Sequence, residues 1–163
     1  MKVYFDNCST TKVSSSAIDV MNKIFKEDYG NPSSKHFMGV AAEKYIREAA
    51  AELAGILKVS EKEIIFTSGG TESNNLAIKG AAFGYARSGK HIIVSSIEHD
   101  SVSRVMMYLK EQGFEITYLD VDSHGQTDRE QLSAAIRPDT ILVSVMYVNN
   151  EIGTVQEIGR AHV

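Results

Sequence analysis

Residues 91–119, HIIVSSIEHDSVSRVMMYLKEQGFEITYL, hold two short β-branched runs, His91 to Ser95 and Glu115 to Leu119, on either side of a helix-period segment. Val102 to Glu111 carries Val105, Met106 and Leu109 at helical spacing, and Gly113 punctuates its end. Strand, helix and strand with short connections imply two parallel strands joined by a right-handed crossover. The same alternation extends outward. Downstream, Arg129 to Ile136 reads as a helix stopped by Pro138, and Thr140 to Val148 as an apolar strand. Upstream, Glu63 to Thr67 reads as a strand and Ser73 to Arg87 as a helix ending before Gly89. The expected fold is therefore α/β, a mostly parallel sheet with flanking helices on both faces.

Before this alternation begins, Ser14 to Lys26 and Phe37 to Leu57 read as two amphipathic helices separated by the turn-rich Tyr29-Gly30-Asn31-Pro32-Ser33-Ser34. The expected organisation is an N-terminal helical segment, 1–60, followed by the first part of an α/β domain, 61–163. Composition agrees with a core-forming chain: 43% of the 163 residues are hydrophobic and 23% charged. Seventeen Lys and Arg against 21 Asp and Glu leave a net charge of -4, which argues against nucleic acid or an anionic membrane as the main partner. The longest apolar stretch, Ile141 to Val148, is far short of the roughly 20 residues of a membrane span. No signal-peptide pattern opens the chain, and the single Cys8 excludes an internal disulfide, so a reduced cytoplasm is the expected compartment.

In an open parallel sheet the loops at the carboxyl ends of the strands converge on one edge, where ligands bind. Three such loops carry chemistry. Thr67-Ser68-Gly69-Gly70-Thr71-Glu72-Ser73 leads from a strand into a helix, so glycine, hydroxyls and unpaired helix-start N–H groups form a candidate phosphate cradle. The alternative is a tight turn with Thr71 or Ser73 as a helix cap. Ser96-Ile97-Glu98-His99-Asp100 places His99 at a strand end, able to stack on an aromatic group or move a proton, or to be a surface histidine. Asn149-Asn150-Glu151-Ile152-Gly153 offers two amides for an oxygen, or ordinary turn chemistry. His36 and His91 have no second ligand at metal spacing, His124 in Asp122-Ser123-His124-Gly125 reads as a turn residue, and Cys8, without a basic partner, reads as a buried or inert thiol.

Taken together, these stretches resemble the pyridoxal-phosphate-dependent cysteine desulfurases of the NifS/IscS type. The resemblance runs from Tyr4-Phe5-Asp6-Asn7-Cys8-Ser9-Thr10-Thr11 through Gly30-Asn31-Pro32-Ser33-Ser34 and residues 64–80, IIFTSGGTESNNLAIKG, to Glu98-His99 and Asn149-Asn150-Glu151-Ile152-Gly153-Thr154. It implies the large domain of a fold-type I enzyme. By resemblance, Gly70 and Thr71 hold the phosphate of pyridoxal 5'-phosphate, His99 stacks on the pyridine ring and assists proton transfer, and Asn150 contacts the region of the ring oxygen and the substrate. The implied reaction takes sulfur from L-cysteine, leaving alanine, and passes it as an enzyme persulfide to an acceptor or scaffold protein, as in iron-sulfur assembly. A homodimer is implied as well.

The resemblance also marks what these 163 residues lack: the Ser-Gly-His-Lys segment whose lysine carries the cofactor, the aspartate facing the pyridine nitrogen, the arginine for the substrate carboxylate and the sulfur-accepting loop cysteine. Cys8 does not match that cysteine. The chain alone is expected to be inactive, with a gap or an exposed edge in its sheet and a tendency to instability or strand exchange. Competing readings are a non-catalytic truncated paralogue or fragment, and a selenocysteine lyase or another class V aminotransferase relative.

Overall fold

The computed structural model describes residues 1–158. Its chain divides into two compact units, Met1–Phe66 and Thr67–Val163. In the first, Ser14 caps α1 (Ser15–Lys26) by accepting from the Ala17 N–H, and His36 caps α2 (Phe37–Leu57) through the Gly39 N–H. The loop between them lies hard against the start of α2. A Cβ on Gly30 would sit 2.2 Å from the Met38 carbonyl oxygen, and one on Gly39 2.1 Å from that of Ser34, so backbone occupies the space a side chain would need. Tyr45 on α2 donates to Asp28 Oδ2 at 2.5 Å, and Lys23 on α1 approaches the same oxygen at 3.5 Å. The unit ends in a single 3-10 turn, Glu61–Glu63, closed by a Ser60–Glu63 capping box.

The second unit runs α3 (Gly70–Gly84), β1 (His91–Ser95), α4 (Asp100–Glu111), β2 (Glu115–Leu119), α5 (Arg129–Ala135) and β3 (Thr140–Ser144). All strand pairs are parallel and the order is β2-β1-β3, so the sheet is the expected parallel one. Pairing aligns His91 with Glu115 and Ser95 with Leu119, while an irregularity between His91 and Ile92 shifts the register against β3. The chain steps outward from β1 to β2 and then back across β1 to β3. Right-handed crossovers consequently put α4 and α5 on opposite faces.

Every residue of the central strand is buried, as a parallel strand covered on both sides requires. Ile92 and Val94 meet Ile78 and Ala82 of α3 and Val102, Val105, Met106 and Leu109 of α4, while Phe114 packs edge-on against Phe83. On the opposite face, the fully buried His91 bridges its neighbours, with Nδ1 2.7 Å from Thr140 Oγ1 and Nε2 2.8 Å from Thr117 Oγ1. Both ring nitrogens are thus used in holding three strands together.

Two expectations need correction. Glu63 to Thr67 is not a strand: the 3-10 turn takes its first residue and Ile64–Phe66 is extended without a ladder, Ile65 being 67% exposed. Extended backbone becomes sheet only beside a strand edge, and no described strand pairs with it. The last strand stops at Ser144 rather than Val148: the Met146 N–H turns to the Glu98 carboxylate, and residues 147–149 pair with 154–156 instead of β1. Helix starts also shift: α3 begins at Gly70 and α4 at Asp100, ahead of the first apolar residues of each periodic pattern.

Candidate active site

The strand order reverses at β1, which makes the carboxyl ends of β1 and β3 a topological switch point where a crevice opens. A crevice of about 430 Å³ lies there, with Asn74 and Ile78 of α3, Glu98 and His99 after β1, and Ser144 and Met146 at the end of β3 among its lining residues. Glu98 joins the two loops. Its Oε1 accepts from Ser95 Oγ at 2.8 Å and from the Met146 N–H at 2.5 Å. Asn149 adds a second tie by donating to the Ile97 carbonyl at 2.9 Å.

His99 is the N-cap of α4, its Nδ1 accepting from the Ser101 N–H at 3.0 Å. Ser101 Oγ lies 2.8 Å from the same nitrogen and accepts from Asn74 Nδ2 at 2.8 Å. The exposed imidazole is thereby held over the crevice from two helices at once.

At the start of α3, the cap residue is Gly69 and no side chain caps the helix, so neither Thr71 nor Ser73 takes that place. The Ser73 hydroxyl is committed to Thr67 Oγ1 at 2.7 Å, while Thr67 donates onward to the Gly69 carbonyl at 3.1 Å. Glu72 folds back to accept from the N–H and hydroxyl of Ser68 at 2.6 and 2.7 Å, bonds that hold its carboxyl below the ordinary glutamate value. That leaves the N–H groups of the first turn and the Thr71 hydroxyl, for which the described residues supply no acceptor. A Cβ placed on Gly70 would meet nothing within 4 Å. Exposed N–H donors, a hydroxyl and open space over Gly70 suit a dianionic phosphate.

The third loop separates its two amides. Asn149 is 6% exposed and spent on the turn, its Oδ1 accepting from the N–H groups of Glu151 and Ile152. Asn150 is exposed and, among the described residues, its side chain bonds only that of the neighbouring Glu151, at 3.4 Å, so its amide is available, although it does not line the crevice. Glu98, Ser101 and Asn74 were missed as site residues from sequence. Glu98 is adjacent to His99, but no spacing signalled Asn74 or Ser101. Elsewhere, His36 serves as a helix cap and His124 sits in the Asp122 turn. Cys8 is exposed and donates to Asp6 Oδ1 at 3.3 Å, which corrects the buried alternative of the expected buried or inert thiol. No helix of the described residues is long and apolar enough to cross a membrane.

The aminotransferase class-V family model matches residues 3–162. Among similar proteins, the cysteine desulfurase IscS of Dictyoglomus turgidum is 48% identical over 157 residues, which cover 96% of this chain and 40% of that protein. Among solved structures, a NifS-like protein superposes with a TM-score of 0.92 at 42% identity, covering 96% of this chain and 43% of its own. The structure of SspA in complex with cysteine gives 0.88 at 40% identity, covering 94% and 44%. This chain spans about two fifths of the length of these relatives.

Proposed function

Because the chain belongs to the class-V aminotransferase family, we propose that it is the N-terminal part of a pyridoxal 5'-phosphate-dependent cysteine desulfurase. The observation that carries the reading is the uncapped start of α3, whose first-turn donors meet no acceptor among the described residues, in the unit that also holds His99 over the switch-point crevice. In this reading Gly70 and Thr71 bind the cofactor phosphate, His99 supplies a stacking plane and a proton-handling nitrogen, and Asn150 orients an oxygen of the cofactor or substrate. The bound cofactor supplies an electron sink for the substrate's α-carbon. The chain's own residues bind and orient: the helix start neutralises phosphate charge, and the Glu98 bonds to Ser95 and Met146 keep the loops after β1 and β3 together.

L-cysteine is the proposed substrate, with alanine and persulfide sulfur as products and a sulfur-acceptor or scaffold protein as partner. The support is likeness to IscS and to a cysteine-bound structure. A homodimer in the cytoplasm, working in iron-sulfur assembly, belongs to the same proposal. So does the division into a helical segment, 1–60, and the first part of the cofactor domain, 61–163. The 163 residues hold no Ser-Gly-His-Lys segment, so this polypeptide alone releases no sulfur from cysteine.

The test uses pyridoxine 5'-phosphate, which has no aldehyde to react with surface lysines, in calorimetric titration of the protein. Saturable binding, lost without the phosphate and weakened by Thr71→Ala and His99→Ala, is expected. Equal binding of phosphorylated and unphosphorylated ligand would sink the phosphate assignment. Alanine formation from L-cysteine by the whole native gene product, with sulfide released from the persulfide by an added thiol reductant, tests the activity. Release from selenocysteine alone would move the substrate to that class.

A further inference from the structure

We propose that Ser101 and Asn74 are positioning residues that fix His99 in one tautomer, with the proton on Nε2. The inference rests on the reading of His99 as the group that faces the cofactor. A backbone N–H can only donate, so the 3.0 Å bond from Ser101 N makes His99 Nδ1 an acceptor. The Ser101 hydroxyl adds to this. Asn74 Nδ2 donates to its oxygen at 2.8 Å, which leaves the hydroxyl proton free for Nδ1, also at 2.8 Å. Ser101 is 7% exposed and Asn74 half-buried, so the shared hydroxyl is shielded even though the imidazole faces the open crevice.

Two donors on Nδ1 leave the neutral ring its proton at Nε2, for which the described residues supply no partner. His99 therefore presents a hydrogen-bond donor to whatever occupies the crevice. Accepting a proton at Nε2 requires the ring to carry its other proton at Nδ1, which breaks the cap of α4. Asn74 lies one turn into α3, so the same chain of bonds clamps the phosphate-binding helix to the start of α4.

The tautomer is read directly by long-range proton–nitrogen NMR of the nitrogen-15-labelled protein at about pH 8.5, where an ordinary histidine is neutral. The His99 signals are identified by their loss in His99→Gln. The expected spectrum has a pyridine-like Nδ1 and a pyrrole-like Nε2. Ser101→Ala removes one donor to Nδ1, and Asn74→Asp draws the hydroxyl proton away from it. Each moves the ratio of tautomers about fivefold toward the Nδ1–H form, the equivalent of one neutral hydrogen bond, and Ser101→Thr restores it. A pyrrole-like Nδ1 in the unaltered protein, or a wild-type ratio in both variants, overturns the proposal. The readout uses no cofactor, so this outcome is separate from the pyridoxine 5'-phosphate titration.

Discussion

Replacing Glu98 isolates the contact that ties the loop after β1 to the end of β3. Its Oε1 is the acceptor for the Met146 N–H at 2.5 Å, forty-eight residues away along the chain, and for Ser95 Oγ at 2.8 Å. A hydrogen bond to a charged group is worth about 2 kcal/mol net, and one between neutral groups about 1 kcal/mol. Glu98→Ala should therefore lower the free energy of opening the segment after β3 by about 2 kcal/mol, and Glu98→Gln, which keeps an acceptor, by about 1 kcal/mol. At 1.4 kcal/mol per factor of ten, Met146 amide exchange accelerates about thirtyfold in the first variant and about fivefold in the second. Hydrogen exchange followed by NMR measures this at one amide, because local opening is read against a common background. The amides of Ile92 and Val94, deep in β1, serve as controls and keep their rates. An unchanged Met146 rate in Glu98→Ala, or equal effects of Ala and Gln, would refute the argument that a charged acceptor ends β3.

Two further perturbations address the opposite end of the sheet. Arg137 bonds both oxygens of Glu115, at 2.6 and 2.9 Å, and Asp139 at 3.0 Å, and these bonds hold both carboxyls below their ordinary values. Depressed carboxyl values contribute stability that is present above the unfolded-state values and lost as pH falls through the folded ones. In urea unfolding at stepped pH, Arg137→Gln should thus be less stable than wild type at neutrality, the difference shrinking below about pH 4; a constant difference would mean that the ion pairs contribute nothing. Gly89→Ala places a Cβ 2.1 Å from the Asp139 carbonyl oxygen, where His91 N also bonds at 3.1 Å. Overpacking of this kind costs about 1–3 kcal/mol, seen as a lower urea midpoint, and an unchanged midpoint would show that the β1–β3 entry is loose.

Much of this architecture is local and was legible from residue types alone. The β-branched runs at His91–Ser95 and Glu115–Leu119, the helix over Phe37–Leu57 and the glycine and hydroxyls before Leu76 follow from period, propensity and helix-end chemistry, which act over a few residues. They suffice for an α/β fold and for naming the loops that bear chemistry. What tertiary structure decided involves partners far apart in sequence. Whether Ile64–Phe66 becomes a strand depends on an edge to pair with, and where β3 ends depends on a carboxylate from another loop. Which of two adjacent asparagines is spent on the turn depends partly on the Ile97 carbonyl, fifty-two residues from Asn149. The protonated nitrogen of His99 depends on its own helix's backbone and, through Ser101, on Asn74, twenty-seven residues before it. A hydrogen bond is set by position and direction in space, and local periodicity carries neither.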